Sequence, residues 1–360
     1  MEQVYINLNE RSYHIYIASG LLARLGEYLA ALDVGRRVLL VTNPTVRRLH
    51  GGPTEASLTA AGFSVVPAEI PDGEEYKSLA SAEKLYDLAY RRGLDRRCPV
   101  IALGGGVTGD LAGFVAATYL RGVPFIQVPT TLLAQVDSSV GGKVAVNHPR
   151  GKNIIGAFYQ PRLVLIDPEV LKTLEVREIR AGLAEVIKYG VIADAAFFHW
   201  LEENLEHLLA LEPDRLACAV AVSCRIKARV VQEDETEQGR RAVLNFGHTL
   251  GHALEALTGY TTYRHGEAVA VGMVFACRLA VRLGLLDEAA ADRVEKLLVR
   301  AGLPVSVPAG LSAEDLLVSM HHDKKVLAGR LTFVLPTALG TMEILRDVPE
   351  EAVRAALKEI

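Results

Sequence analysis

The 360-residue sequence predicts an α/β amino-terminal domain with a mostly parallel sheet, followed by a mainly α-helical carboxy-terminal domain. Three observations carry this expectation. Short apolar runs alternate with helical patterns through the first half, the rhythm of a parallel sheet with crossover helices. From about Glu175 onward the apolar spacing is helical almost throughout. At roughly 150 residues per domain, the length suits two domains that each bury a core.

Taken in chain order, Arg37 to Thr42, Gly62 to Pro67, Val100 to Leu103, Phe125 to Val128 and Leu163 to Ile166 read as strands. Between two of them, Ser78 to Arg92 repeats Leu79, Leu85, Leu88 and Ala89 at helical spacing. The second half carries helical patterns over Ile179 to Val191, Leu216 to Gln232, Thr249 to Leu257 and Glu267 to Leu283, and a late strand pair over Gly329 to Leu335 and Thr341 to Leu345. The expected division is residues 1–174 and 175–360, with the boundary near Thr173. No internal repeat or low-complexity linker interrupts the pattern.

Half of the residues are hydrophobic and 23% are charged, as in ordinary globular chains, which excludes disordered and fibrous classes. With 39 Lys and Arg against 43 Asp and Glu, the net charge of −4 gives no reason to expect nucleic acid or an anionic membrane as partner. The longest apolar stretch, Ala268 to Cys277, stops at Arg278, far short of the roughly 20 residues of a membrane-spanning helix. Met-Glu-Gln-Val-Tyr at the start does not resemble a secretory signal. Cys98, Cys218, Cys224 and Cys277 are scattered, without a Cys-x-x-Cys pair, and read as free thiols. Both features lead to the expectation of a cytoplasmic protein.

Pro99-Val-Ile-Ala-Leu-Gly104-Gly105-Gly106-Val107-Thr108-Gly109-Asp110 is a short apolar run entering glycines and then a helical pattern, Leu111 to Tyr119. Gly104, Gly106 and Gly109 satisfy G-x-G-x-x-G in the strand-turn-helix context of a phosphate-binding loop, where backbone and helix amides approach a pyrophosphate. The sheet is therefore expected to be Rossmann-like. It is not a standard Rossmann unit, because Ile126-Gln-Val-Pro-Thr130-Thr131 stands where an acidic residue is expected about 20 residues on. A plain tight turn also fits the glycines alone. Asp72-Gly73-Glu74-Glu75-Tyr76-Lys77 offers carboxylates for ribose hydroxyls and a cation for phosphate. By itself it fits equally a turn and a helix cap.

In the second half, His248 and His252 stand four apart, hence on one helix face, with His265 and Glu267 at the start of the next apolar helix. A third helix carries Glu185 within an apolar stripe, where a metal or a strong cation would offset the cost of burial. Spacing alone makes both helix histidines the metal ligands. Hydrogen-bonded core or surface histidines remain the alternative. His321-His322 is assigned to the surface, because adjacent helical side chains diverge.

Together these motifs carry a resemblance that covers nearly the whole chain. Pro71-Asp-Gly-Glu-Glu-Tyr-Lys77-Ser, Gly104-Gly-Gly-Val-Thr-Gly-Asp110, Arg121-Gly-Val-Pro, Pro129-Thr-Thr-Leu-Leu-Ala-Gln-Val-Asp137-Ser-Ser-Val-Gly-Gly-Lys143 and Gly151-Lys152-Asn153 occur in order. Ala184-Glu185-Val-Ile-Lys188-Tyr-Gly, Leu244-Asn245-Phe-Gly-His248-Thr-Leu-Gly-His252, His265-Gly-Glu-Ala-Val and Asp323-Lys324-Lys325 follow. The sequence resembles the 3-dehydroquinate synthase family of sugar phosphate cyclases.

That resemblance implies NAD held by the first domain through Asp72, Gly73, Glu74, Glu75, Tyr76, Lys77, Gly106, Val107, Thr108, Gly109, Asp110, Thr130, Thr131, Lys143, Lys152, Val170, Leu171, Lys172 and Thr173. It implies Zn²⁺, with Co²⁺ as a substitute, on Glu185, His248 and His265, and moves His252 from the metal to the substrate. Lys143, Asn153, Lys188, Lys227, Arg241, Asn245, His252 and Lys325 then surround a substrate carrying a carboxylate and a phosphate, and Arg241 suits the planar anion. Lys324 is the weaker candidate for the phosphate. The resemblance also implies that Asp137 helps place substrate and cofactor and that Arg121 reaches the neighbouring subunit's site, hence a homodimer.

The implied reaction converts 3-deoxy-D-arabino-heptulosonate 7-phosphate to 3-dehydroquinate and phosphate, with NAD⁺ regenerated in each turnover. Related cyclases act on other sugar phosphates; Lys227 and Arg241 with Lys152-Asn153 favour the carboxylate-bearing one. A metal-dependent polyol dehydrogenase that accumulates NADH, and a binding protein without catalysis, are the two other classes.

Overall fold

Parallel strands covered on both faces must be apolar throughout, and β3 (Arg37–Thr42), β5 (Val100–Gly104), β6 (Phe125–Pro129) and β9 (Leu163–Ile166) of the computed structural model are buried along nearly their whole length. The structure describes residues 1–237, 239–321 and 332–360. Ahead of β3 lie β1 (Glu2–Ile6), β2 (Tyr13–Ile17) and the short helix α1 (Leu25–Ala30); after it come α2 (Pro44–Val46), α3 (Gly52–Ala60), β4 (Ser64–Glu69) and α4 (Leu79–Arg91). Helix α5 (Gly106–Thr118) joins β5 to β6, and the hairpin β7 (Lys143–His148) and β8 (Gly151–Phe158) precedes β9.

The seven-stranded sheet has the order β1-β2-β9-β6-β5-β3-β4. Only β1 is antiparallel to its neighbour; β2 to β9 and all later pairings are parallel. Alternation distributes the side chains between two cores. Val38, Leu40, Ile101 and Leu103 pack with Leu58 of α3 on one face, while Leu39, Val41, Val100 and Ala102 pack with Leu85 of α4 and Leu111 of α5 on the other.

Strand β4 starts two residues later than the apolar pattern suggested, for a local reason. Gly62, at φ +82°, ends α3 with the Phe63 amide on Leu58 O and its own amide on Thr59 O, so the chain becomes extended only from Ser64. Ser78 caps α4 through its hydroxyl on the Ser81 amide.

The helices that follow are α6 (Val176–Ala193), α7 (Ala195–Leu209), α8 (Pro213–Glu233), α9 (His248–Leu257), α10 (His265–Arg282), α11 (Glu288–Arg300), α12 (Ala313–His321) and, after β10 (Thr332–Ala338) and β11 (Thr341–Arg346), α13 (Glu350–Leu357). The late strands form an antiparallel pair of their own. Two compact units result: residues 1–174 with 213–232, and residues 175–212 with 233–360. This departs from a single cut after residue 174, because α8 belongs to the first unit, where Cys224 Sγ donates to Gln135 O at 3.4 Å.

Helix α10 is the centre of the second unit, apolar nearly all round and in contact with α6, α9, α11, α13 and β10. Its apolar run ends where Arg278 meets Asp292 and Glu295 of α11, at 2.9 and 2.6 Å. No helix among the described residues is long and apolar enough to cross a membrane. All four cysteines are free thiols, and burial pushes Cys224 and Cys277 up to about 12.

Candidate active site

In the first unit, the chain runs outward from β3 to β4 and then returns to β5 on the other side of β3. Such a reversal leaves a crevice at the carboxyl ends of the strands, the usual ligand position in open α/β sheets. Segments at that edge are the ones singled out in the sequence: 72–77 follows β4, 106–110 follows β5, 130–131 follows β6 and 170–173 follows β9.

The glycine loop is tight because its neighbours leave no room. A Cβ on Gly104 would lie 2.6 Å from Thr108 Oγ1, and one on Gly109 would lie 2.8 Å from Gln127 Oε1. Gly105, in an extended conformation, caps α5 without a side-chain bond, which leaves the first amides of α5 directed to the loop. Thr130 N donates to Gly104 O at 3.0 Å and ties the next loop alongside.

Lys77 is buried, with Nζ 2.6 Å from Asp110 Oδ2 and 3.9 Å from Glu74 Oε1. Burial pushes the Asp110 carboxyl up, against the opposing pull of the Lys77 ammonium. Asn147 Nδ2 donates to Glu74 Oε1 at 2.7 Å, and its Oδ1 accepts from the Asn153 amide at 3.0 Å, so the β7–β8 hairpin carrying Lys143, Lys152 and Asn153 is tied to the 72–77 loop. Asp72 accepts from Thr45 at 3.0 Å, and Thr173 meets His50 at 3.0 Å. Gly73, Glu75, Tyr76 and Lys172 are exposed, whereas the side chains of Val170 and Leu171 lie in the core, which leaves only their backbone to meet a ligand.

Lys227 on α8 donates to Asp137 O and Oδ1, at 2.6 and 2.5 Å. Arg121 is exposed on a turn where it and Leu120 hold left-handed φ values of 69° and 49°.

In the second unit, close backbone approach sets the metal candidates. Gly247, at φ +77°, starts α9, and a Cβ there would lie 2.8 Å from Val269 O; a Cβ on Gly266 would lie 1.9 Å from Ala181 O of α6. With α6, α9 and α10 so close, one donor atom each from Glu185, His248 and His265 lies within 4.8 Å of the others. Both histidines place Nε2 3.8 Å from Glu185 Oε1. His248 Nδ1 meets Phe246 O at 3.0 Å and His265 Nδ1 meets Glu255 Oε2 at 3.2 Å, so in each ring it is Nε2 that faces Glu185.

Glu185 is wholly buried, and neither oxygen accepts a hydrogen bond among the described residues, although the Lys188 ammonium is in ion-pair contact with Oε2. An ionised carboxylate in such a place costs several kcal/mol. A divalent cation between it and two imidazoles answers that cost, and the donor set suits Zn²⁺ or Co²⁺. His252 stands beside the cluster, its ring centroid 5.4 Å from that of His248.

Glu267 does not join them. It takes Arg177 in a fork, at 2.7 Å to each oxygen, and accepts the Arg264 amide at 2.8 Å. Burial opposes ionisation, but Arg177 and the backbone bond outweigh it and hold the carboxyl below the usual range. Arg241 is fully buried: Nη1 donates to Glu235 O and its amide to Asp234 Oδ2. Asn245 donates to Glu237 at 3.1 Å. His321 is exposed, as expected; His322, Lys324 and Lys325 lie outside the described residues. Glu255, one turn beyond His252, was not singled out in the sequence, although its place on the face of His248 and His252 was legible.

Solved structures define the class. The chain is similar to 2-deoxy-scyllo-inosose synthase complexed with carbaglucose-6-phosphate, NAD⁺ and Co²⁺ (TM-score 0.89, 27% identity, 99% of each chain). It is also similar to 2-epi-5-epi-valiolone synthase from Streptomyces hygroscopicus subsp. jinggangensis with NAD⁺ and Zn²⁺ bound (TM-score 0.89, 30% identity, 98% of each chain). The fold is that of the sugar phosphate cyclases, shared more distantly with the NADH-dependent butanol dehydrogenase A of Thermotoga maritima (TM-score 0.68, 17% identity, 96% of each chain).

The profiles described as 3-dehydroquinate synthase N-terminal and C-terminal match residues 67–181 and 182–326. Curated 3-dehydroquinate synthases from Pelotomaculum thermopropionicum (62% identity, 94% of this chain and 92% of that one) and Desulforamulus reducens (56% identity, 100% of both) are similar along their length. The chain belongs to the 3-dehydroquinate synthase family.

Proposed function

We propose that this chain converts 3-deoxy-D-arabino-heptulosonate 7-phosphate to 3-dehydroquinate and phosphate, with NAD bound at the carboxyl edge of the sheet and a divalent metal, Zn²⁺ or Co²⁺, on Glu185, His248 and His265. The observation that carries this reading is the wholly buried Glu185 carboxylate facing two imidazole Nε2 atoms, both at 3.8 Å, in a chain matched end to end by curated members of the family.

When bound, NAD⁺ takes up and returns a hydride, and the metal polarises the hydroxyls of the sugar. The remaining work falls to the chain. Asp72, Glu74 and Lys77, with the amides at Gly106 to Asp110 and Thr130 to Thr131, are suited to ribose hydroxyls and pyrophosphate. Arg241, fixed by Asp234 and Glu235, is suited to the planar carboxylate. Lys143, Asn153, Lys188, Lys227, Asn245, His252 and Lys325 are assigned to the other polar groups of the substrate, with Asp137 oriented by Lys227. Phosphate leaves by elimination and acts as its own base; ring opening and intramolecular aldol closure complete the product. Arg121 is assigned to the site of a second subunit, which makes the functional state a homodimer. Mixing inactive Arg121→Ala and Lys188→Ala chains then restores part of the activity. A cytoplasmic location is proposed from the four free thiols.

Phosphate release with catalytic NAD⁺, before and after chelation, tests the reading. Accumulated NADH would support a dehydrogenase instead.

A further inference from the structure

Building on the proposed metal reading, we infer that Glu255 is the positioning residue that orients His265 and strengthens its bond to the ion. The helix α9 presents His248, His252 and Glu255 on one face at i, i+4 and i+7. Glu255 is nearly buried, with an 11% exposed side chain, and its Oε2 lies 3.2 Å from His265 Nδ1. The opposite nitrogen of the same ring, Nε2, lies 3.8 Å from Glu185 Oε1. One ring thus spans two carboxylates.

His248 and His265 are held in different ways. A neutral carbonyl, Phe246 O, accepts the His248 Nδ1 proton, and the turn at Gly247 fixes that geometry within a few residues of chain. His265 begins α10, is 29% exposed at its side chain and meets at Nδ1 the Glu255 carboxyl of another helix, 3.2 Å away. A carboxylate on the distal nitrogen fixes the tautomer and raises the basicity of the metal-facing one. His252, Glu255 and His265 also bring donor atoms within 4.8 Å of one another, which makes Glu255 a direct ligand in a different arrangement. In that arrangement His265 serves Glu255 through Nδ1, its nitrogen nearest to that carboxylate. Glu185, wholly buried and accepting no hydrogen bond among the described residues, would then lose one of the two imidazole Nε2 atoms that face it.

The test uses the full chain stripped of metal and titrated with Co²⁺, whose visible absorption reports the ligands directly. Binding is measured against a competing chelator for the wild type, Glu255→Gln and Glu255→Ala, with the melting temperature of each metal-free protein as a control of folding. Glu255→Ala is expected to weaken Co²⁺ binding about 10–100-fold, and Glu255→Gln, which keeps an acceptor but not the charge, by less. The absorption bands keep their position and intensity in both, and the metal-free melting temperatures stay close to the wild type.

Unchanged affinity in Glu255→Ala would overturn the inference while leaving the metal reading intact. Altered bands in Glu255→Gln would overturn it in favour of Glu255 as a ligand. Loss of affinity matched by loss of the metal-free fold in both variants would assign Glu255 a merely structural role. A wild type that binds no Co²⁺ would remove the metal reading and the inference together.

Discussion

His248 points Nε2 at Glu185 Oε1, 3.8 Å away, while its Nδ1 is spent on the carbonyl of Phe246. The ring is thereby turned with Nε2 toward a carboxylate that accepts no hydrogen bond among the described residues. Replacing Glu185 by Gln removes the only charged donor of the three. Lewis-acid stabilisation is worth several kcal/mol, so phosphate release should fall by about a thousandfold, a change of about 4 kcal/mol in the barrier. Added Zn²⁺ should not restore it; steady-state assays over a Zn²⁺ series check this.

Gly266→Ala tests how the helices set that geometry. The new Cβ would lie 1.9 Å from Ala181 O, a backbone atom that cannot swing away, so α10 must move off α6 and carry His265 with it. The expected cost is about 1–3 kcal/mol of stability, read from denaturant midpoints, together with weaker metal retention after dialysis.

Lys77 and Asp110 form a nearly enclosed pair at 2.6 Å. Lys77→Met leaves a carboxyl that burial already pushes up without its counter-charge, at a cost of about 2–3 kcal/mol near neutral pH. Because this carboxyl is raised above its ordinary 3.8, its ionisation counts against folding as the pH rises from about 4. The deficit of Lys77→Met should therefore widen with pH across that window, and Lys77→Met/Asp110→Asn should recover most of it. Urea unfolding at several pH values measures both.

The Arg177–Glu267 fork has the opposite sign. The Glu267 carboxyl is held below its ordinary 4.5, so its stabilisation is present above that value and is lost as the pH falls through the lower folded one. Glu267→Gln should cost about 1 kcal/mol at pH 7, discounted because Arg177 is half exposed, and the difference from the wild type should vanish in acid. Melting temperatures from pH 3 to 7 give the comparison.

Strands β3, β5, β6 and β9 were legible because burial on both faces leaves an unbroken apolar run. Strands β1 and β2 alternate over five residues each and hide among mixed residues, and β8 exposes most of its length and shows no apolar period. Periodicity identified α8 as a helix but is blind to its partner, since the stripe that packs on the first unit looks like one that packs on helices. His248, His265 and Glu185 were readable as chemistry. Spacing alone pairs His248 with His252 and cannot separate His265 from Glu267, because only the fold brings Arg177 to Glu267 and Gly266 against Ala181. Glu255 needed the same information.

The central claim is a redox-neutral, metal-dependent elimination and cyclisation, and the most direct measurement counts phosphate released from 3-deoxy-D-arabino-heptulosonate 7-phosphate per NAD⁺ while absorbance follows NADH. Many phosphates per NAD⁺, lost on chelation, restored by Zn²⁺ and without net NADH, are predicted. No phosphate from the metal- and NAD-loaded protein, or NADH accumulating in step with product, would contradict the account.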